Sequence, residues 1–165
     1  MSVPIAFIPI DLEQFADLCV QFRRDAMQCS FENGADRFDQ ESGENHEQYF
    51  IWLKERIQEF PEGCVHVVEN DQIVGQIEMH LKGQQTLAYV NLVYLIPEVR
   101  GTGLGDQLHR YVEQIFEQVG IVKAQLSVSP INERAMSFYR KHGWQDMGPR
   151  PGYPEVHLME FTVNQ

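Results

Sequence analysis

The feature that most constrains the fold is an apolar segment that runs directly into a glycine-rich turn. Residues 86–96 (TLAYVNLVYLI) are apolar at most positions, which is typical of a central strand buried on both faces. Residues 100–105 (RGTGLG) follow, and apolar residues then recur at helical spacing until Gly120, which predicts a helix that ends there. This order predicts an α/β domain with backbone N–H groups exposed where the helix begins.

The remaining elements predict one mixed α/β domain over residues 1–165. Asp11 and Gln14 form a capping-box pattern that predicts the start of a first helix, and Asn45 and Gln48 predict the start of a second. We interpret the turn-rich, acidic residues 33–43 (NGADRFDQESG) between them as an exposed loop. The order is β-α-α-β-β-β-α-β-α-β-β. The predicted strands cover residues 3–10, 64–69, 72–81, 86–96, 121–129, 144–147 and 156–163, with a hairpin turn at residues 70–71 and the last helix over residues 132–142.

Length and charge exclude some kinds of partner. The chain has 165 residues, the length of one domain, and 13 basic against 24 acidic residues give a net charge of −11. Nucleic acid is not expected as a partner, because a phosphate backbone is bound by clustered Lys and Arg. The acidic surplus favours a cationic or amine-bearing partner, and solubility alone would also explain it.

The cysteines and the N-terminal segment indicate a reducing compartment. Cys19, Cys29 and Cys64 are an odd number without CxxC spacing, so we expect neither a disulfide framework nor a metal site. The first residues, MSVPIAFIPIDLEQ, lack the basic and long apolar stretches of a signal peptide. No segment approaches the ~20 apolar residues of a membrane span. We therefore expect a cytoplasmic protein that does not bind a membrane.

The glycine-rich turn departs from two common phosphate-binding motifs. A P-loop ends in Gly-Lys-Ser/Thr, whereas this turn ends in Gly105-Asp106. A dinucleotide fingerprint that began at Gly101 would need glycine in place of Asp106. A tight turn that binds nothing would explain one or two glycines, but three glycines behind an arginine favour an anion site.

Two spaced motifs resemble those of a known enzyme family. Arg100-x-x-Gly103-x-Gly105 resembles the acyl-CoA pyrophosphate loop of the GNAT-type N-acetyltransferases. The preceding residues 95–100 (LIPEVR) look like the entry to that loop. Residues 130–144 are similar to the family's second signature, which here comprises Pro130, Asn132, Ala135, Phe138, Tyr139, Lys141, Gly143 and Trp144. The resemblance implies a mixed, mostly antiparallel central sheet flanked by helices, with the fourth and fifth strands splayed to hold acyl-CoA.

The resemblance also implies which residues bind the cofactor. Backbone amides of the turn would hold the pyrophosphate, and the backbone of the fourth strand would pair with the pantetheine arm. Asn132 would contact that arm while it caps a helix, and the Arg100 side chain is either a second phosphate contact or an ion-pair partner of Glu98. The cofactor-binding residues expected on this basis are Val93, Leu95, Arg100, Gly101, Thr102, Gly103, Leu104, Gly105, Asn132 and Tyr139.

Catalysis needs a proton for the departing thiolate and a base for the amine. The match of Phe138-Tyr139 to the motif implies that the Tyr139 phenol protonates the sulfur, whereas helical periodicity alone would place Tyr139 in the core. Glu78 is the carboxylate that we expect to act as the base. Asn91 could position a water, and His80 is interpreted as a partly exposed histidine of the same strand as Glu78.

The resemblance therefore implies an acetyl-CoA-dependent N-acetyltransferase for a primary amine of a small molecule or a protein, without a metal. A homodimer is one expected oligomeric state. The alternatives are a non-catalytic acyl-CoA-binding module on the same fold and a nucleotide-binding domain. The amine that accepts the acetyl group is expected to bind between the first two helices, their loop and the C-terminal hairpin. Acidic side chains there would attract an amine or form only a solvated loop. The acidic residues concerned are Glu32, Asp36, Asp39, Glu41, Glu44, Glu47 and Glu155, and Tyr153 lies in the same region.

Overall fold

The computed structural model describes residues 4–84 and 86–163, and within them seven strands form one sheet that five α-helices cover. Asp11 Oδ1 accepts the N–H of Glu13 at 3.1 Å, which confirms the predicted cap of the first helix. The strands are β1 (Ile5–Pro9), β2 (Cys64–Glu69), β3 (Gln72–Lys82), β4 (Leu87–Leu95), β5 (Lys123–Val128), β6 (Gln145–Arg150) and β7 (Tyr153–Thr162). The helices are α1 (Leu12–Ser30), α2 (Gly34–Ser42), α3 (Glu47–Glu59), α4 (Leu104–Val119) and α5 (Glu133–Lys141).

The sheet order is β1-β2-β3-β4-β5-β7-β6, and every neighbouring pair is antiparallel except β4 and β5. This confirms the predicted mixed, mostly antiparallel sheet. The parallel pair is short, because its register runs only from Leu87 opposite Lys123 to Val90 opposite Leu126. β4 continues beside β3 as far as Leu95 opposite Gly75, so β4 and β5 part after Val90.

Helices pack on both faces of the sheet. On one face, Phe116 of α4 joins Ile77 and Leu126 in the main buried cluster. On the other face, Phe22 of α1 packs against Leu92 and against further side chains of β4. Burial on both faces explains the nearly continuous apolar run of β4, as the sequence predicted.

Two turns also agree with their sequence patterns. Asn70 and Asp71 have φ of 51° and 61°, the left-handed values of a two-residue hairpin turn. Gly120, with φ of 77°, follows the last residue of α4 and accommodates the left-handed conformation that ends many helices. Part of the predicted first strand (residue 3) and Gln85 of the turn before β4 lie outside the described residues.

The interpretation of residues 33–43 as an exposed loop is wrong. This segment forms α2, and it does so because one face of it is buried. Phe38 is buried against Tyr49, and Gly34 lies so close to the Met27 backbone that no side chain would fit there. The Ser42 hydroxyl donates to the Phe38 carbonyl at 2.6 Å. Burial of one aromatic side chain therefore outweighs a turn-rich composition.

The predicted capping role of Asn45 is also wrong. Asn45 has φ of 54° inside a short 3₁₀ turn, and α3 begins two residues later without a side-chain cap. Among the described residues, no helix is long and apolar enough to cross a lipid bilayer.

The packing of α2 can be tested by removing its buried ring. Phe38→Ala should lower the free energy of unfolding by about 3–5 kcal/mol, because it leaves a cavity beneath α2. Asp36→Ala, an exposed change on the same helix, should alter it by less than about 0.5 kcal/mol. Urea unfolding of both variants measures the difference. Equal stabilities would return residues 33–43 to the loop interpretation.

Candidate active site

A cleft of about 430 Å³ opens where β4 and β5 part. Residues 90–95 of β4 and residues 126–129 form its floor, and the C-terminal part of α1 forms one wall. The glycine-rich turn and the start of α5 close the opposite side. The lining includes the following residues singled out from the sequence: Asn91, Val93, Leu95, Arg100, Gly101, Gly105, Asn132 and Tyr139.

One edge of the cleft consists of free strand backbone. Ile96 N–H donates to Val74 O of β3 at 2.9 Å. Because successive residues of a strand alternate their hydrogen-bonding direction, the backbone groups of Val93 and Leu95 face the opening between β4 and β5. The Leu95 carbonyl accepts a hydrogen bond from Arg100 Nε at 2.8 Å from that side. An extended ligand could therefore pair with this edge as an added strand.

The turn between β4 and α4 presents a run of unbonded N–H groups. Among the described residues, no protein acceptor takes a hydrogen bond from the backbone N–H groups of residues 101–106. Gly101 and Gly103 have φ of 77° and 90°, which only glycine adopts without strain. The Thr102 hydroxyl donates to Val99 O at 2.6 Å and fixes the turn. These N–H groups lie at the positive end of the α4 dipole, which is an arrangement that binds anions.

Arg100 is tied to the protein rather than free in the cleft. Its N–H donates to Pro97 O at 3.2 Å, and its Nη2 lies 2.9 Å from Asp25 Oδ2 of α1. The guanidinium also stacks over the Tyr94 ring. The observed ion-pair partner is therefore Asp25 and not Glu98, and Arg100 joins the end of β4 to α1.

The carboxylate of Asp106, at the start of α4, is turned towards α5. It accepts hydrogen bonds from Lys141 Nζ and His142 Nε2, both at 2.9 Å. These hydrogen bonds, that of Lys141 first, lower the pKa of Asp106. Gly105 allows the adjacent close packing, because a Cβ there would lie 3.1 Å from the Phe138 ring. The acidic side chain is thus neutralised beside the anion-binding turn.

Asn132 and Tyr139 of the second motif both line the cleft. Asn132 Oδ1 accepts the Ala135 N–H at 3.1 Å, which confirms its capping role, and its Nδ2 donates to Ser30 Oγ of α1 at 3.1 Å. The Tyr139 ring packs against Phe138, but its hydroxyl has no hydrogen-bond partner among the described residues. Burial raises the pKa of Tyr139, so the phenol is protonated at neutral pH.

Glu78 lies beneath the cleft rather than in it. It is fully buried and ion-paired with Arg23, whose guanidinium reaches the cleft lining. Tyr49 OH and Gln76 Nε2 donate to the other carboxylate oxygen at 2.6 Å and 2.5 Å. Burial, followed by the neighbouring Glu78 charge, raises the pKa of Tyr49. Glu78 therefore has no free face towards a ligand in this arrangement.

His80 and Asn91 form a pair at the edge of the cleft. The Asn91 amide oxygen accepts from His80 Nδ1 at 2.8 Å. Burial lowers the pKa of His80, so its ring is neutral at neutral pH. Because the Asn91 oxygen is engaged, its NH₂ group remains as a donor in the cleft.

The acidic side chains expected to attract an amine are partly neutralised. Asp39 Oδ1 lies 3.0 Å from Arg24 Nε and 2.9 Å from His46 Nε2. Arg37 forms two hydrogen bonds with Glu155, the shorter at 2.9 Å, and so joins α2 to β7. These carboxylates therefore join α2 to α1 and to β7.

A cluster of His109, Glu113 and His142 brings three potential metal ligands within 4.8 Å of one another. Its nitrogens already make hydrogen bonds. His109 Nδ1 lies 2.7 Å from Glu113 Oε1, and His109 Nε2 accepts from Trp144 Nε1 at 2.8 Å. His142 Nε2 is bound to Asp106. The hydrogen bonds account for the cluster without an ion.

Residues 21–144, which contain β4, α4 and α5, match the model of the Acetyltransferase (GNAT) family. The chain belongs to the GNAT acetyltransferase family. The match covers the glycine-rich turn and the second motif, so the resemblance seen in the sequence is confirmed.

Two curated relatives of this GNAT protein are similar over part of their length. The thialysine N-epsilon-acetyltransferase of Bos taurus is 32% identical over 73 residues, which are 44% of this chain and 41% of that protein. N-alpha-acetyltransferase 30 of Schizosaccharomyces pombe is 25% identical over 92 residues, which are 53% of this chain and 61% of that protein. The matches thus span only about half the length of these relatives.

Solved structures share the fold over nearly the whole chain. The PaiA N-acetyltransferase of Thermoplasma acidophilum, in complex with coenzyme A, has a TM-score of 0.77 at 21% identity and covers 98% of this chain and 99% of its own. The spermidine N-acetyltransferase of Vibrio cholerae, in complex with CoA and spermine, has a TM-score of 0.71 at 14% identity, over 96% and 95% of the two chains. These similarities show a common GNAT fold.

The GNAT fold brings most of the expected site residues to one cleft. Glu78 and the turn residues 102–104 are not among the residues that line it. The sequence interpretation missed Arg134, which lines the cleft with its Nη2 close to Gly101. The sequence feature that could have indicated Arg134 is a basic side chain in the first turn of α5. The interpretation also missed Arg23 and the end of α1, because α1 carries no motif.

The role of the turn can be tested with a matched pair of glycines at the two ends of α4. Gly103→Ala and Gly120→Ala place a side chain at φ of 90° and 77°, and neither Cβ meets a protein atom within 4 Å. Both should cost about 1–2 kcal/mol of stability. Only Gly103→Ala should weaken coenzyme A binding in calorimetry, by about tenfold or more, because its Cβ occupies the anion site. Equal affinities of the two variants would exclude this site.

Proposed function

We propose that this protein is an acetyl-CoA-dependent N-acetyltransferase that transfers an acetyl group to a primary amine of a small molecule or a protein. The observation that carries the proposal is the convergence, in one cleft, of a free strand edge, a run of unbonded N–H groups and the Tyr139 hydroxyl. Membership of the GNAT family supports it. So do the relatives, whose names describe acetylation of thialysine and of protein N-termini, and the coenzyme A complex of the PaiA enzyme.

The cofactor would lie along the length of the cleft. Its pyrophosphate would accept hydrogen bonds from the N–H groups of residues 101–106, and Arg134 would add a positive charge beside them. The pantetheine arm would pair with the backbone of Val93 and Leu95, and its amide would replace Ser30 as the partner of Asn132 Nδ2. Arg100 would act through its ion pair with Asp25, which fixes the end of β4.

The reaction would proceed by direct attack of the amine on the thioester carbonyl. The carbon–nitrogen bond forms, the carbon–sulfur bond breaks, and one proton moves from the amine nitrogen to the sulfur overall. The Val93 N–H would stabilise negative charge on the carbonyl oxygen, since it faces the opening. Tyr139 OH would donate to the departing thiolate, because it is protonated and has no hydrogen-bond partner in the part of the chain that the structure describes.

The route of the amine proton is proposed from the side chains below the cleft. We assign Glu78 to holding Arg23, since its oxygens are already engaged by Arg23, Tyr49 and Gln76. Asn91, oriented by His80, would hold the water that receives the proton. Direct base catalysis by Glu78 stays the alternative prediction. The cytoplasmic location, a homodimer and a single domain over residues 1–165 also stay predictions.

The chemical step can be tested by comparing two variants in which a tyrosine is replaced by phenylalanine. With acetyl-CoA and a panel of amines, the wild-type protein should release free coenzyme A. Tyr139→Phe should lower kcat by a factor on the order of 10²–10⁴ and leave coenzyme A affinity unchanged. Because burial raises the pKa of Tyr139 above its ordinary value, any alkaline fall in kcat due to this phenol should lie above pH ~10 and vanish in the variant.

Tyr111→Phe is the control, because the Tyr111 hydroxyl donates to Glu62 O rather than facing the cleft. It should retain wild-type kcat. Binding of coenzyme A without any thiol release would favour the non-catalytic acyl-CoA-binding module. Wild-type kcat in Tyr139→Phe would return Tyr139 to a packing role.

Stability and the pH profile of kcat distinguish the two roles considered for Glu78, which are holding Arg23 and acting as the base. Glu78→Gln leaves Arg23 without its charged partner, so the free energy of unfolding should fall by about 3–5 kcal/mol. The acidic limb of kcat against pH should persist in this variant. Loss of that limb, with kcat reduced on the order of 10²-fold or more, would instead identify Glu78 as the base.

A further inference from the structure

Two basic side chains flank the Tyr89 ring near the point where β4 and β5 part. Lys82 Nζ lies 4.5 Å and the guanidinium carbon of Arg150 lies 5.7 Å from the ring centroid. Arg150 also stacks on Tyr153, 4.7 Å from that ring's centroid. Arg150 ends β6 and Tyr153 begins β7, so the C-terminal hairpin holds the guanidinium against the sheet.

Hydrogen bonds connect Arg150 to the cleft. Its Nη1 donates to Ser127 Oγ at 2.9 Å and to Tyr89 OH at 3.2 Å. Ser127 lines the cleft, and it directly follows Leu126, the last β5 residue that pairs with β4. The guanidinium therefore lies one hydrogen bond away from the fork of the two strands.

The fork is the acceptor end of the cleft. The glycine-rich turn follows the C-terminal end of β4, whereas the fork lies near its N-terminal half. A coenzyme A whose pyrophosphate lies on the turn would therefore extend its thioester towards the fork. The Arg150 guanidinium and the hairpin therefore lie near the place where the amine would meet this thioester.

Arg150, like Arg134, forms no ion pair among the described residues, whereas several other arginines near the cleft do. Among the described residues, no carboxylate oxygen lies within 4.0 Å of a nitrogen of Arg150 or Lys82. Arg150 is joined to the cleft through Ser127, so in a chain with a net charge of −11 its guanidinium is available to a carboxylate of a ligand that binds there. The arginines paired with a carboxylate are Arg23 with Glu78, Arg24 with Asp39, Arg37 with Glu155, Arg56 with Glu55, Arg100 with Asp25 and Arg140 with Asp146.

The free part of the guanidinium has a defined shape. Nη1 is occupied by Ser127 and Tyr89, whereas Nε and Nη2 have no acceptor among the described residues. Two parallel N–H groups on one edge of a planar guanidinium match the two oxygens of a carboxylate. A diamine or polyamine has no group that would bind this edge.

We propose that Arg150 selects the acceptor by binding its carboxylate, so that the amine substrate is a small aminocarboxylate. This inference rests on the proposed acetyltransferase function and narrows its substrate class. Lys82, with Nζ 4.5 Å from the Tyr89 ring centroid, adds positive charge nearby. A protein lysine side chain or a chain N-terminus carries no carboxylate at a fixed short distance from its amine and is disfavoured.

The geometry also sets the approximate length of the acceptor. The last paired residues are Val90 and Leu126. Ser127 is one residue beyond Leu126 and Val93 is three residues beyond Val90, a difference of two residues along the strands, or roughly 7 Å. An amine at a thioester beside Val93 and a carboxylate at Arg150 are therefore separated by several bonds. Probes of the class H₂N-(CH₂)n-COO⁻ with three to five methylenes span this separation.

The test compares each aminocarboxylate with its own carboxamide. We expect wild-type protein to prefer 4-aminobutanoate and 6-aminohexanoate over 4-aminobutanamide and 6-aminohexanamide by roughly 10- to 100-fold in kcat/KM, because a charged hydrogen bond is lost in the amide. In Arg150→Met the ratio should fall to about one, while kcat/KM for the carboxamides stays unchanged. Arg110→Met, an exposed arginine of α4 without a carboxylate partner among the described residues, should keep the wild-type ratio.

Calorimetry of the coenzyme A complex separates this inference from the proposed function. If wild-type protein binds the aminocarboxylates and Arg150→Met does not, the inference is supported even where no acetyl group is transferred. The absence of acetyl transfer would count only against the proposed enzyme activity. Four results would each overturn the inference about Arg150. They are equal binding of carboxylate and carboxamide, a preference for diamines, no measurable binding of any aminocarboxylate, and a carboxylate-to-carboxamide ratio that Arg150→Met leaves unchanged.

Discussion

The separation of β4 from β5 after four paired residues is the constraint on which the rest of the site depends. Backbone groups inside a sheet are normally paired, and here the edge of β4 beyond Val90 is left open within a buried region. A β-bulge at Glu78/Met79 accommodates the extra residue Asn91 opposite, where the divergence starts. The open edge, the turn that follows it and the start of α5 all border the same cleft. A ligand with its own amides is the natural partner for such an edge, and the pantetheine arm is one.

An acidic protein can bind a polyanionic cofactor because its charges are arranged locally. Asp25 is paired with Arg100, and Asp106 is bound by Lys141 and His142, so these two carboxylates beside the turn are neutralised. What remains at the turn is a set of backbone N–H groups, the helix dipole and the guanidinium of Arg134. Net charge therefore describes the long-range field, whereas affinity depends on groups within a few ångströms.

The sequence predicted the elements whose signals are local and failed where tertiary contacts decide. The β4–turn–α4 unit was predictable because an apolar run, positive-φ glycines and the ending at Gly120 each have one local cause. α2 was not, since its composition favours a turn and only burial of Phe38 makes it a helix. For the site, the two motifs located the turn, Asn132 and Tyr139. They could not show that Glu78 is covered by Arg23 and Tyr49, because these partners come from α1 and α3, which carry no motif.

Burial of Tyr139 limits what this phenol can do in the proposed reaction. An ordinary thiol has a pKa of about 8.5 and the raised pKa of Tyr139 lies above 10, so complete transfer of its proton to a thiolate is unfavourable on its own. A hydrogen bond from the phenol to the sulfur still stabilises charge as the carbon–sulfur bond breaks. The free energy of the proton transfer becomes close to balanced when the transfer is coupled to loss of a proton from the attacking amine. The acidity of that amine rises once it bonds to the carbonyl carbon. Tyr139 is then neutral before and after each turnover, and burial serves the reaction by keeping it so.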